Sequence, residues 1–464
     1  MEQAGDDKYG YQLVRLIWVD YAGIRRCRVI PRKRLKQIQI SGIGLASACL
    51  FMPCWGDSPP SNDPAGQPCG ECRLIPDIET LKRLPWRPSE SMCLVSMISE
   101  IDSTPWDACP RTLLFHALEL FELEFGVELK AGFEVEFSLL EEKPKNIDLS
   151  NKTTPRVSPI EESVYCQTSA IDGKAGPVLK QICACLEQLG QNIEQIHAES
   201  ASGQFELVTE YRPALEAADN LIYKKETISA VARLNKMTAS FLPKIFPDQA
   251  GNGCHVHFSF GDPKEPDSNL MADSSRPYSL SALGEAFSAG VLKHMPALMS
   301  FTAGNVNSYE RIKASTWSGA YQCWGVNNRE APLRLVGLAG QPESINFELK
   351  TVDGTANPYI ALAAIIAAGI SGIRRGLSLS SPVQVDPASL TEEQREKESI
   401  RLLPSSLPEA LDAFEKDDEF KNILVEVTGS ETMCRLYPIV KGSEFEKMGE
   451  MSLLEQVEKF YDRF

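Results

Sequence analysis

The stretch Gly132-Phe-Glu-Val-Glu-Phe137 alternates apolar and acidic residues without a break, a pattern that suits a β-strand with one buried face. In that conformation Glu134 and Glu136 project together, with Phe133, Val135 and Phe137 on the opposite side. Two carboxylates side by side without counter-ions repel and raise one another's pKa, and a divalent cation relieves that cost. Taken alone, the pair also fits a solvent-facing strand. Further groups narrow the choice. His197-Ala-Glu-Ser-Ala-Ser-Gly-Gln-Phe-Glu206 sets Glu199 and Glu206 across a glycine-containing turn, and Gly251-Asn-Gly-Cys-His-Val-His257 sets His255 and His257 on one strand face. A set rich in carboxylates with few imidazoles favours Mg²⁺ or Mn²⁺ over zinc, because those ions prefer hard oxygen ligands.

The rest of the chain reads as two domains, residues 1–105 and 106–464, a small strand-rich one before a large one. Leu13–Val19 and Arg28–Ile30 form a hairpin that turns at Gly23. Residues 53–76 read as a long loop, and 105–110 as a linker. Segments 132–140, 203–208, 255–260 and 344–351 read as strands. Segments 111–125, 173–190, 213–240, 281–300 and 358–375 read as helices, and 392–398 as a solvated helix face.

The chain carries 47 basic and 63 acidic side chains, and its net charge of −16 disfavours nucleic acid and anionic membranes as partners. The apolar stretch 358–373 is broken by Gly369 and Gly372 and reads as a buried helix rather than a membrane span. Neither a secretory signal nor a transit peptide is visible, which makes cytoplasmic location the expectation. Thirteen cysteines without framework spacing fit reduced thiols. Asn151-Lys-Thr153 is formally a glycosylation sequon, of little weight without a signal.

A cationic set lies downstream: Arg311, Arg329, Arg334 and Lys350, the last two residues beyond Glu348. Interleaved with candidate metal ligands, these side chains make sense as clamps on phosphate and carboxylate oxygens. The ordered motifs Gly132–Phe137, His197–Glu206, Gly251–His257, Asn307-Ser-Tyr-x-Arg311, Asn328-Arg329 and Ala356-Asn-Pro-Tyr359 resemble the glutamine synthetase superfamily over nearly the whole chain. Thr316–Trp324 and Asn346–Lys350 are similar to the glutamine synthetase half of plant nodulin/glutamine synthetase-like fusions and their fungal relatives.

That resemblance implies an α+β fold, with a small β-grasp-like N-terminal domain and a catalytic domain whose curved antiparallel sheet is flanked by helices. It implies ATP and two or three Mg²⁺ or Mn²⁺ ions, small-molecule substrates, and a homo-oligomer of stacked rings. One metal would be held by Glu136, Glu199 and Glu206, and a second by Glu134, His255 and Glu348. His257, Ser259, Arg329 and Arg334 would face the nucleotide, and Gly251, Arg311, Trp317 and Lys350 the other substrates. Asp57, Arg311 and Arg329 would serve catalysis. The implied reaction is ATP-dependent activation of a glutamate-like γ-carboxylate, followed by attack of ammonia or a primary amine.

Trp317 stands where ammonia-using relatives carry a flap glutamate, Lys350 and Asn346 where they carry arginines, and Ala250 where they carry an asparagine. Trp317 cannot bind ammonium through a carboxylate but can contact a larger amine by packing or cation–π attraction. The absence of a Gly-x4-Gly-Lys-Ser/Thr loop disfavours a P-loop ATPase. Two other functions enter as alternatives: a catalytically weak scaffold or signalling protein, and a zinc module built on Cys69-Gly-Glu-Cys72, which lacks a second cysteine pair.

Overall fold

The computed structural model describes residues 10–56, 67, 69–142, 156–265, 268–338 and 340–464. Asp57 and the Asn151 sequon lie outside them. The first sheet is built from β1 (Leu13–Val19), β2 (Arg25–Pro31), β3 (Ile43–Ala46), β4 (Glu71–Pro76), β5 (Lys82–Arg83) and β6 (Glu90–Ser99), in the order β2-β1-β6-β4-β3 with β5 beside β6. The β1–β2 hairpin pairs Leu13 with Pro31 and Val19 with Arg25. Its turn closes because the buried Asp20 carboxylate accepts from the Ile24 amide, while Gly23 takes a φ of +87° that other residues resist.

The second sheet comprises β7 (Glu128–Glu142), β8 (Val157–Pro159), β9 (Ile193–Ala198), β10 (Gln204–Thr209), β11 (Arg212–Pro213), β12 (Thr238–Ser240), β13 (Cys254–Gly261), β15 (Trp324–Val326), β16 (Leu333–Leu338) and β17 (Gln341–Leu349). The short β14 (Tyr321–Gln322) pairs instead with β18 (Arg401–Leu402). The large sheet runs β15-β16-β17-β13-β7-β10-β9, with β8, β11 and β12 attached to β7. It is antiparallel from β16 to β9, and only the edge pair β15–β16 is parallel.

One face of this sheet is apolar and covered by helices. Phe260 packs at 5.6 Å on Phe121 of the helix Pro110–Phe125, and Phe258 at 5.4 Å on Phe287 of the helix Ala282–Thr302. The helix Pro358–Arg374 starts at Asn357, whose side chain accepts from the amides of Tyr359 and Ile360, and Pro358 at its first position needs no amide partner. This helix is buried nearly throughout and so reads as uniformly apolar. The helix expected over 213–240 spans Ala214–Leu234; Lys236, at φ +61°, leaves the helical region and the chain continues into β12. The strand expected over 344–351 ends at Leu349. Four C-terminal helices between Leu407 and Phe460 complete the chain.

Candidate active site

The face of the large sheet opposite the helices carries the carboxylates, most of them buried at the floor of a cleft, and strand register brings them together. Glu136 on β7 lies opposite Glu206 on β10, and Glu206 lies opposite His197 on β9. On the other side of β7, Glu134 lies opposite His255 on β13. One strand further, Glu348 on β17 faces His257 on β13 and Arg334 on β16. Because each pair is a direct cross-strand neighbour, residues distant in sequence fall into three adjoining rows on one face: Glu136, Glu206 and His197; Glu134 and His255; and Glu348, His257 and Arg334. Phe133, Val135 and Phe137 point into the core, as the alternation requires.

Two groups of side chains could each hold a metal ion, their ligand atoms lying within 4.8 Å of one another: Glu134, His255 and Glu348, and His197, Glu199 and Glu206. The first contains all three side chains expected for one metal. The second contains two of the expected three, with His197 in place of Glu136. Glu136 faces the same cleft, but its Oε2 is occupied, accepting from the Gly253 amide at 2.8 Å and from Gln204 Nε2 at 3.1 Å. Gln204 also donates to the Gly251 carbonyl and to Asn252, tying β10 to the glycine loop before β13. His197 and Gln204 both sit in the His197–Glu206 motif, yet sequence spacing alone did not separate them from its other residues.

The electrostatics are those of crowded acids. Burial, and then the charges of Glu136 and Glu206, push the Glu199 carboxyl up to about 7. Burial also raises Glu206, although His197, 3.1 Å away, opposes it. That hydrogen bond in turn lifts His197 to about 9. At the other group, burial would raise Glu134, but hydrogen bonds from His255 and His257 outweigh it and hold the carboxyl well below the usual range. Glu348, 1% exposed, is likewise held low against its burial by Lys350 and His255. Its Oε1 lies 3.1 Å from both Lys350 Nζ and His255 Nδ1, and its Oε2 accepts from Arg334 at 2.9 Å. Hard oxygen donors with one imidazole, in two adjacent groups, fit a pair of divalent cations.

A cleft of about 520 Å³ opens over both groups, and Gly251, Arg311, Trp317, Arg329 and Lys350 line it with the acids. Arg311 is buried and aimed by bonds to the carbonyls of Lys350 and Val352. Gly251 has to be glycine, since a Cβ there would lie 2.7 Å from Arg311 Cγ and 2.3 Å from the Pro243 carbonyl. Trp317 is 55% exposed at φ +59°, its amide bonded to Glu330 Oε1 and its ring 5.8 Å from the Arg329 guanidinium. Tyr165 adds a second aromatic ring to the lining, a residue the sequence patterns did not single out.

A neighbouring cavity of about 190 Å³ is lined by His257, Ser259 and Asn346, and it shares Glu134 with the cleft. His257 is fixed between Asn346 Oδ1 at 2.8 Å and Glu134 Oε1 at 3.0 Å. Of the four side chains expected at the nucleotide, His257 and Ser259 line this cavity, Arg329 lines the cleft, and Arg334 is paired with Glu348. Cys69 is exposed and Cys72 buried, and among the described residues neither joins a metal-competent group.

Residues 107–458 match the glutamine synthetase catalytic domain, and residues 6–106 the glutamine synthetase N-terminal domain. This chain therefore belongs to the glutamine synthetase family of ATP- and metal-dependent ligases, which act on small-molecule substrates. A type-1 glutamine synthetase of Dictyostelium discoideum is 30% identical over 98% of this chain and 90% of its own length. A gamma-glutamylpolyamine synthetase of Streptomyces coelicolor is 33% identical over 89% and 86%. Protein fluG of Emericella nidulans is 30% identical over 94% of this chain, which spans 47% of that longer protein. Among solved structures, a glutamine synthase homolog superposes with a TM-score of 0.82 at 29% identity, covering 98% of this chain and 99% of that one. GmaS in complex with ADP superposes at 0.81 and 26% identity, covering 98% and 97%. Among the described residues no helix is long and apolar enough to cross a membrane.

Proposed function

We propose that this chain joins the γ-carboxylate of glutamate, or of a related acid, to a primary amine at the expense of ATP. The observation that carries this reading is Trp317, which with Tyr165 gives the cleft two aromatic walls beside the acids. Ammonia needs no aromatic wall. An alkyl or aryl amine gains from packing and, as the ammonium, from cation–π attraction of about 0.5–2 kcal/mol.

Two Mg²⁺ or Mn²⁺ ions would be held by Glu134, His255 and Glu348 and by Glu199, Glu206 and either Glu136 or His197, where they neutralise charge on the transferred phosphate. His257 and Ser259 would bind ATP, and Arg329 and Arg334 would contact phosphate oxygens. Arg311 and Lys350 would orient the acid so that its γ-carboxylate oxygen attacks the terminal phosphorus as the bond from that phosphorus to the bridging oxygen breaks and ADP leaves; Gly251 leaves room for the acid. The acyl phosphate so formed would lose phosphate when the amine nitrogen attacks its carbonyl carbon, and the nitrogen would pass its proton to the departing phosphate. Trp317 and the loop around it would exclude water meanwhile. Asp57 remains a candidate at the amine. Residues 1–105 and 106–464 are read as the N-terminal and catalytic domains of a cytoplasmic homo-oligomer of stacked rings, a division supported by the two family matches.

The test is purified protein with ATP, Mg²⁺ or Mn²⁺, glutamate and a panel of amines that includes ammonia, read by phosphate release and product mass. γ-Glutamyl amides of primary amines are expected, and Trp317→Ala should raise the amine KM about 5-fold. Product from ammonia alone would sink the amine reading.

A further inference from the structure

Lys350 has a place in the site that substrate contact alone does not account for. The residue is 4% exposed, and its Nζ donates at 3.1 Å to Glu348 Oε1, the oxygen that His255 Nδ1 also approaches at 3.1 Å. Glu348 and His255 are two of the three members of one metal-competent group. The ammonium therefore sits on a carboxylate oxygen that a cation bound there would use. The other Glu348 oxygen is taken by Arg334.

We propose that Lys350 is an internal counter-cation for this metal site, displaced from Glu348 when a divalent ion binds and thereby handed to the acidic substrate. The inference rests on the ligase reading above. A divalent ion sits about 2 Å from a carboxylate oxygen, so an ion and the Lys350 ammonium on the same oxygen would be closely spaced like charges. Buried like charges repel strongly, and one must leave. Arg334 reaches Glu348 through the other oxygen, whereas Lys350 reaches it through the shared one. A lysine is also the residue suited to leaving. It is a compact charge on a flexible stem, without the planar fork that would grip both carboxylate oxygens.

The same side chain lines the large cleft with Arg311, Gly251 and Trp317. Released from Glu348, the ammonium remains in a cleft that already holds the Arg311 guanidinium, and a substrate carboxylate entering between these two cations meets a pair of positive charges. Metal and acid then bind with positive linkage: each removes a partner that the other would otherwise contend with, and the coupling is reciprocal.

The experiment is calorimetric titration of the full chain with Mn²⁺ alone and with L-glutamate alone or in the presence of Mn²⁺. Glu348→Gln identifies the site concerned by its loss. Lys350→Met removes the charge and keeps the stem, and Lys350→Gln removes the charge and keeps a hydrogen-bond donor. Both should bind Mn²⁺ at that site at least about 5-fold more tightly than the wild type. In the wild type Mn²⁺ should tighten glutamate binding, and in both variants glutamate should bind weakly with or without Mn²⁺. Equal or weaker Mn²⁺ binding in the two variants overturns the inference and leaves the ligase reading intact, and a gain in the Met variant that the Gln variant lacks overturns charge as its cause. Absence of Mn²⁺ binding in the wild type removes the metal site and both readings with it. Unfolding midpoints of the variants, compared with the wild type, separate misfolding from altered affinity.

Discussion

Gln204 shows how a side chain that binds no substrate can govern a metal site. Its amide nitrogen is shared by Glu136 Oε2, the Gly251 carbonyl and Asn252 Oδ1, at 2.9 to 3.1 Å. It therefore sets which oxygen of Glu136 turns to the cleft and holds the loop that carries Gly251. Residues that orient metal ligands typically change affinity by 10–100-fold when removed. Gln204→Leu, close in size and unable to donate, should weaken Mn²⁺ binding by about 10-fold or more, and it should also lower the unfolding midpoint, because the buried Gly251 carbonyl and Asn252 Oδ1 lose a donor. A titration showing wild-type affinity would mean that Glu136 is oriented by the Gly253 amide alone. His197 belongs to the same scale: it faces Glu206 across the β9–β10 register, and His197→Ala should lower the carboxylates' capacity for metal less than Glu206→Gln does, as measured by the same titration.

At the scale of elements, the buried helices Ala282–Thr302 and Pro358–Arg374 meet through glycines. A Cβ on Gly372 would lie 2.0 Å from the Ala286 carbonyl, and one on Gly290 would lie 2.2 Å from the Ala368 carbonyl. Backbone cannot yield as a flexible side chain can, so Gly372→Ala should force the helices apart and destabilise the protein by about 1–3 kcal/mol, read from urea unfolding. The sequence marked helices over 281–300 and 358–375 and showed 358–373 as an apolar stretch broken by Gly369 and Gly372. It disclosed buried character but not the crossing that makes the glycines necessary. Strands were more legible. The alternation at 132–137 correctly sorted Phe133, Val135 and Phe137 to the core and Glu134 and Glu136 to the cleft, because a period of two assigns faces without knowledge of neighbours. What it could not supply was register. The grouping of His197 with Glu199 and Glu206, and the occupation of Glu136 by Gln204, depend on which strand lies opposite which residue, and no local pattern encodes that. β16, although it carries Arg334, and the C-terminal helices were not among the expected strands and helices.

At the scale of the whole molecule, the two sheets are joined by buried polar groups as well as by apolar packing. Asn357 donates to the carbonyls of Val19 and Asp20, and Arg25 on β2 pairs with Glu226 in the helix Ala214–Leu234 at 2.7 Å. Lys225, the next residue on that helix, is 4% exposed; it donates to the Gly354 carbonyl and its ammonium lies 4.7 Å from the Phe241 ring centre. Burial, with the nearby Arg25 charge, pushes its pKa down to about 7 from the usual 10.5. The consequence for stability has a definite sign. Above pH 10.5 the amine is neutral whether the chain is folded or not. As pH falls from 10.5 toward 7, the unfolded chain takes up a proton that the native one refuses, so the native state loses stability; below about 7 both are protonated and the penalty is constant. Relative to Lys225→Met, the wild type should therefore gain about 3 kcal/mol between pH 7 and pH 9.5, at 1.36 kcal/mol for each pH unit. The Gly354 carbonyl loses its donor in the variant, but that cost is the same at both pH values and cancels in the comparison. Urea unfolding of the two proteins at pH 7 and 9.5 measures the difference, and parallel profiles would show that Lys225 is charged in the folded protein throughout this range.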